Sequence, residues 1–132
     1  MKQRKVDFNI LWLVIIGLAA LSLIHSLGWA KEARVIRLSE RQVGKIMIHP
    51  GQSTILSFSM KPTKVILGNR GVFALEYVEN DLAIAALAPN VHSNLFVYLP
   101  SGRFAFDLVT TPNLGDEIVV VQDAPDKHIP VK

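Results

Sequence analysis

The sequence predicts an all-β protein, a small antiparallel β-sandwich preceded by one N-terminal hydrophobic helix. Short apolar runs with an alternating pattern follow one another from Gly51 to Thr111, and turn residues separate them at near-regular intervals. No helical period of apolar residues competes with this pattern after Ala30. Half of the 132 residues are hydrophobic and 19% are charged, which is typical of a folded chain.

The first 30 residues have the three parts of an export signal. They begin with the basic residues Lys2, Arg4 and Lys5. An uncharged apolar stretch follows, and it ends in the small-residue sequence Gly28-Trp29-Ala30, after which cleavage would occur. An uncleaved anchor in the inner membrane is the alternative, because the uncharged run approaches the roughly 20 residues that cross a bilayer. Under either interpretation we expect the rest of the chain to lie in the periplasm.

Residues 31–122 are predicted to form the β-sandwich domain, and residues 123–132 a polar tail. Residues 31–42 fit either a first strand or a short helix. The strands predicted after them are 44–48, 54–60, 65–67, 72–78, 82–86, the two arms of a hairpin within 94–108, and 118–121.

The hairpin within residues 94–108 is the clearest element. One face of its first arm carries Leu95, Val97 and Leu99, and the second arm presents Phe104, Phe106 and Leu108 across the turn. Phe96 and Tyr98 lie on the opposite face, which predicts that the hairpin is covered on both sides.

The net charge of +3 does not indicate a nucleic-acid-binding surface. Lys2, Arg4 and Lys5 against Asp7 supply +2 of it, and the remaining chain has 11 basic and 10 acidic residues. A mixed surface of this kind gives no reason to expect a polyanion partner. The absence of cysteine removes disulfides and thiolate metal sites, but it does not decide the compartment.

The sequence predicts no catalytic residues, no cofactor and no metal site. His25, His49, His92 and His128 are far apart and lack the spacing of a histidine metal site. Ser93, His92 and Asp107 have the side chains of a hydrolase triad, but no Gly-x-Ser-x-Gly sequence surrounds the serine. We therefore predict that the protein is not an enzyme.

Several runs resemble a known family. They are residues 61–68 (KPTKVILG), 80–84 (NDLAI), 93–98 (SNLFVY) and 103–108 (RFAFDL). Together they resemble the N-terminal domain of the TraK, TrbG and CagX group, whose members belong to the core complex of type IV secretion and conjugation machines. The resemblance covers residues 51–111. The run that begins at Gly51 also resembles, more weakly, the N-terminal domain of pilus-type secretins.

The resemblance implies an exported β-sandwich that assembles into a homo-oligomeric ring around a secretion channel, through contacts with other channel subunits and without a cofactor. Family members usually continue into a second β-domain, whereas this sequence ends at Lys132. We name Phe96, Tyr98 and Arg103 as candidate interface residues, since aromatics and arginine are enriched at interface cores, although core packing also explains the two aromatics. The alternative function is a stand-alone periplasmic module that is secretin-associated or binds a glycan or peptide.

Overall fold

The computed structural model describes residues 7–24, 28 and 31–125. They contain the helix α1 (Phe8–Ile24) and nine strands. The strands are β1 (Arg34–Leu38), β2 (Val43–Ile48), β3 (Ser53–Ser57), β4 (Lys64–Leu67), β5 (Phe73–Val78), β6 (Asp81–Ala86), β7 (His92–Leu99), β8 (Gly102–Thr110) and β9 (Ile118–Asp123). The chain divides into two compact units, Met1–Lys31 and Glu32–Lys132.

Helix α1 belongs to the first unit and is apolar along its length. It begins after Asp7, whose carbonyl accepts the amides of Ile10 and Leu11 at 3.0 and 3.3 Å. All side chains from Phe8 to Ala20 are exposed. In the part of the chain that the structure describes, no helix is long and apolar enough to cross a membrane. The predicted basic start, Trp29, Ala30 and residues 126–132 of the predicted tail lie outside the described residues.

The second unit is a sandwich of two sheets, which confirms the predicted all-β class. One sheet has five strands in the order β1-β9-β3-β6-β5, and the other has four in the order β2-β8-β7-β4. The sheets are mixed, because β1 and β3 both pair in parallel with β9, and β2 pairs in parallel with β8. The prediction of a wholly antiparallel sandwich rested on tight turns, which reveal only neighbours along the chain; these parallel pairs join distant segments.

The hydrophobic core lies between the two sheets and follows the alternation of the strands. The predicted hairpin is confirmed, with Leu95 opposite Phe106 and Val97 opposite Phe104, and all four side chains are buried. Phe58 extends this cluster, with its ring centroid 6.1 Å from that of Phe104 and 6.2 Å from that of Phe106. The core therefore joins the hairpin to the segment that follows β3.

The structure decides between the alternatives of one local prediction and corrects another. Residues 31–42, predicted as a strand or a short helix, contain strand β1. A strand was predicted over residues 54–60, but β3 ends at Ser57, and Met60 lies outside it and is 42% exposed. The chain turns before Pro62, which lacks the N–H that would extend the ladder.

The side of the sandwich formed by β1 and β2 is closed by the carboxylate of Asp116. Its Oδ2 atom accepts the Met47 amide at 2.8 Å and lies 2.9 Å from Nη2 of Arg34. The same Arg34 nitrogen donates to the carbonyl of Lys45 at 2.9 Å, and the Asp116 amide donates to the Met47 carbonyl at 2.7 Å. The loop that contains Asp116 therefore covers the free edge of β2 and links it to β1.

Candidate protein-binding surface

The outer face of the four-stranded sheet carries an apolar row that crosses all four strands. The outer row, as we call it, consists of Val43 on β2, Ala105 on β8, Phe96 on β7 and Ile66 on β4, each directly opposite the next. Val43 is 58% exposed and Ile66 is 36% exposed, whereas Phe96 is half-buried and Ala105 is buried between them. Side chains alternate between the two faces along each strand, and residues directly opposite each other on neighbouring strands share a face. The four side chains of the row therefore lie together on the outer face.

Arg103 is held above the aromatic ring of the outer row. Its guanidinium carbon lies 6.0 Å from the ring centroid of Phe96, a cation–π distance. Glu40, in the turn between β1 and β2, positions the arginine: the Glu40 carbonyl accepts Arg103 Nη2 at 3.4 Å, and Oε1 of Glu40 accepts the Arg103 amide at 3.4 Å. Tyr98 lies directly opposite Arg103 across the hairpin.

The structure thus brings the three candidate interface residues together. Phe96, Tyr98 and Arg103 lie on the outer face of the sheet, and the two aromatics are half-buried outside the core. They do not belong to the core between the sheets, which was the other explanation for them.

Polar side chains flank the outer row on both sides. One flank is the register row of Lys64, Tyr98 and Arg103, and the other is the row of Lys45, Asp107 and Asn94. Protein interfaces typically have an apolar centre with a polar rim. The outer face of this sheet has the same arrangement.

Ser93, His92 and Asp107 do not form a hydrolase triad. Ser93 is buried, and its hydroxyl accepts the Asn69 amide at 2.8 Å and donates to the Asn94 carbonyl at 3.0 Å. His92 precedes it on the strand and is exposed, so the two side chains point to opposite faces of the sheet. The serine hydroxyl therefore links the end of β4 to β7.

The histidines of the described residues have separate surroundings. Nδ1 of His49 lies 2.9 Å from the Asn113 carbonyl and 3.2 Å from the Thr111 carbonyl, so the ring fastens the loop after β8. His92 lies on the outer face of β7. His25 and His128 are outside the described residues. Within the described residues, no group of three or more histidines and carboxylates is placed to hold a metal ion.

An open cavity of about 560 Å³ adjoins one flank of the outer row. Lys45 and Asp107, which are register partners, line it together with His92 and Thr110. Its polar groups could hydrogen-bond a small ligand. This cavity is the feature that a ligand-binding module would use.

Sequence reasoning missed Val43, Ile66 and Ala105 as members of this surface. Val43 and Ile66 alternate along their strands with residues that are buried, so their side chains lie on the outer face. This alternation is visible in the sequence. Their alignment with Phe96 depends on the register of β2 with β8 and of β4 with β7. No local pattern in the sequence fixes either register.

No protein-family model matches the chain, and none of the curated proteins compared with it is a match.

Proposed function

We propose that this chain is a non-enzymatic structural subunit of an envelope-spanning machine of the type IV secretion and conjugation kind, and that it assembles in the periplasm through protein–protein contacts. Its partners in this proposal are the other channel subunits and further copies of the same chain. The observation that carries the proposal is the outer row with Arg103 above Phe96, an apolar row with polar residues on both flanks.

The chemistry of the outer row fits protein binding. Phe96 and Arg103 belong to the residue types that contribute most to interfaces. Val43 and Ile66 extend the apolar area to both edge strands. A partner that covers the row would remove these side chains from water and would leave Lys64 and Lys45 at the rim.

The N-terminal segment supports the proposed compartment. Residues 8–20 of helix α1 expose apolar side chains, which is unfavourable in water and typical of segments that an export pathway recognises. The mass of the N-terminus of the mature chain would distinguish cleavage after Ala30 from retention as an anchor.

Replacing Val43 by aspartate tests the outer row. The change places a charge at the β2 end of the outer row, so we expect the affinity for channel subunits to fall at least about tenfold. Val35→Asp is the matched control: Val35 is also an edge-strand valine, 53% exposed, but it lies on β1 of the other sheet. The measurement is co-purification with the channel subunits from cells that produce the machine, together with the thermal stability of each variant.

The proposal predicts that Val43→Asp loses the subunits while Val35→Asp retains them, with both chains folded. If Val43→Asp retains the subunits at the wild-type level, the outer row is not the surface that binds them. A wild-type chain that co-purifies with no channel subunit would contradict the proposed function itself.

A periplasmic ligand-binding module is the second candidate, and the cavity beside Lys45 and Asp107 favours it. It predicts that the chain binds a glycan or peptide, that Asp107→Ala abolishes this binding, and that the wild-type chain co-purifies with no channel subunit. Binding of muropeptides or short peptides to the purified chain, measured by calorimetry, separates the two candidates.

A further inference from the structure

Among the residues that the structure describes, strand β5 is the least protected edge of the sandwich. Of the other edge strands, β2 is covered by the loop that contains Asp116, β1 carries Arg34 and Arg37, and β4 has four residues that include Lys64 and follow Pro62. Natural sheets protect their edges by such coverage, by charges, by proline or by shortness. β5 has six residues (FALEYV) without lysine, arginine or proline, and Tyr77 and Val78 are each 51% exposed.

The hydrogen-bonding groups that face the free edge of β5 can be identified from its pairing with β6. The Leu87 amide donates to the Val72 carbonyl at 2.8 Å, and these two residues continue the register in which Phe73 lies opposite Ala86. Antiparallel strands alternate hydrogen-bonded and non-hydrogen-bonded pairs. Even-numbered residues of β5 therefore bond to β6, and Phe73, Leu75 and Tyr77 direct their N–H and C=O groups to the free edge.

The same three residues face the core side of the sheet. Phe73 is buried and Leu75 is half-buried, and with Tyr77 they line a cavity of about 240 Å³. Its other lining residues are Val65 and Leu67 of β4 and Arg70. The side of the sandwich between β4 and β5 is thus open and mainly apolar, with one charged side chain at the opening. A strand added to β5 would cover this opening with its own inward side chains.

We propose that the occupant of this edge is β5 of a second copy of the chain, paired antiparallel about a two-fold axis at Leu75. In this register Leu75 lies opposite Leu75, and Phe73 lies opposite Tyr77 in both directions. Phe73, Leu75 and Tyr77, whose N–H and C=O groups face the free edge, then lie opposite residues of the same three in the second copy. This pairing gives about six backbone hydrogen bonds between the copies. Residues that lie opposite each other have their side chains on the same face of the sheet, so the core-facing side chains of the two copies are on one side. The two five-stranded sheets thus become one continuous sheet.

The charges around β5 are complementary in this register. Its one charged residue, Glu76, lies opposite Ala74 of the second copy. Arg70, which precedes β5, comes next to Glu79 of the second copy, which follows β5. A shift that moves the axis to Glu76 would place the two glutamates opposite each other, and like charges directly opposite are unfavourable. The charge of Glu76 therefore favours an axis at Leu75 over an axis at Glu76.

This contact differs from the assembly surface of the proposed function. A two-fold contact is closed after two copies, whereas a ring requires a second, head-to-tail contact elsewhere. The outer row lies on the other sheet and remains free when two copies pair through β5. Pairing through β5 therefore does not depend on the presence of a secretion machine.

Cysteine cross-linking of the full chain, as purified from cells that export it, tests the pairing. The natural sequence has no cysteine, so each introduced cysteine is unique. Leu75→Cys places two cysteines across the axis at a Cα separation of about 5.5 Å, inside the roughly 4.4 to 6.8 Å that a disulfide spans. Val78→Cys is the control, because its two copies would be roughly 20 Å apart. We expect a disulfide-linked dimer of Leu75→Cys under mild oxidation and none of Val78→Cys.

Two lysine variants measure the same pairing without a cross-link. Leu75→Lys puts two positive charges across the axis and should raise the dimer dissociation constant at least about tenfold. Ala74→Lys puts a lysine opposite Glu76 of the second copy and should leave the dimer intact. Sedimentation measures the dimer, and circular dichroism verifies that each variant is folded.

If Leu75→Cys does not fold, a mixture of Ala74→Cys and Glu76→Cys replaces it, since these exposed positions lie opposite each other in the proposed register. We then expect the mixed dimer to exceed both self-linked dimers. A folded Leu75→Cys that stays monomeric, or a mixture that links no better than either variant alone, would overturn the pairing. These results leave the proposed function untouched, because no channel subunit takes part in the experiment.

Discussion

Replacing Phe106 by alanine is expected to lower the free energy of unfolding by about 3 to 5 kcal/mol. Phe106 is 1% exposed at the centre of the sandwich, lies opposite Leu95 and contacts Phe58 edge-on. The change removes a large apolar surface and leaves a cavity in a core that neighbouring strands cannot close. Because small domains are stable by only about 5 to 15 kcal/mol, the variant should unfold at a much lower urea concentration.

Phe96→Ala is the matched control, because Phe96 is on the neighbouring strand β7 but on the outer face. We expect it to cost about 1 kcal/mol, since its side chain is half-buried and water can fill the space. Urea unfolding of both variants measures the difference. Equal losses of stability would contradict the assignment of Phe106 to the core and Phe96 to the surface.

Replacing Gly115 by alanine is expected to destabilise the fold by about 1 to 3 kcal/mol, as overpacking does in well-packed regions. A Cβ atom at this position would lie 2.7 Å from the His49 amide nitrogen and 2.9 Å from the Met47 carbonyl oxygen. Both are backbone atoms and cannot rotate away. The loop would have to move from β2, and the hydrogen bonds between Asp116 and Met47 would lengthen.

Gly71→Ala provides the control for this change. The nearest atom to a Cβ at Gly71 is Oδ1 of Asn69 at 3.7 Å, which is an ordinary contact. Its effect should stay within about 0.5 kcal/mol. Thermal unfolding of the two variants compares them directly, and a Gly115→Ala variant as stable as Gly71→Ala would show that the loop does not pack closely against β2.

The elements of the fold that arise from local patterns were predictable from the sequence. Alternation and turn residues located the hairpin of β7 and β8 and the strands β5 and β6. The parallel pairing of β1 with β9 was not predictable, because it joins Arg34 to Val119 and no local turn connects them. The end of β3 at Ser57 also depends on tertiary contacts, since the alternation continues to Met60.

The part of the candidate surface that follows from local alternation was also predictable from the sequence. Phe96 and Tyr98 alternate with the buried residues of the hairpin, so their shared face follows from the sequence. The position of Arg103 above Phe96 depends on Glu40, which comes from a distant turn. The outer row as a whole requires the register of four strands, which only the folded chain defines.

Photo-cross-linking from position 96 tests the central claim most directly. A photoreactive phenylalanine analogue replaces Phe96 in cells that produce the secretion machine, and the same analogue at Val35 serves as the control. The account predicts cross-links from position 96 to a channel subunit in the envelope fraction, and none from position 35. Equal cross-links to that subunit from both positions, or none from position 96 in a folded and exported chain, would contradict it.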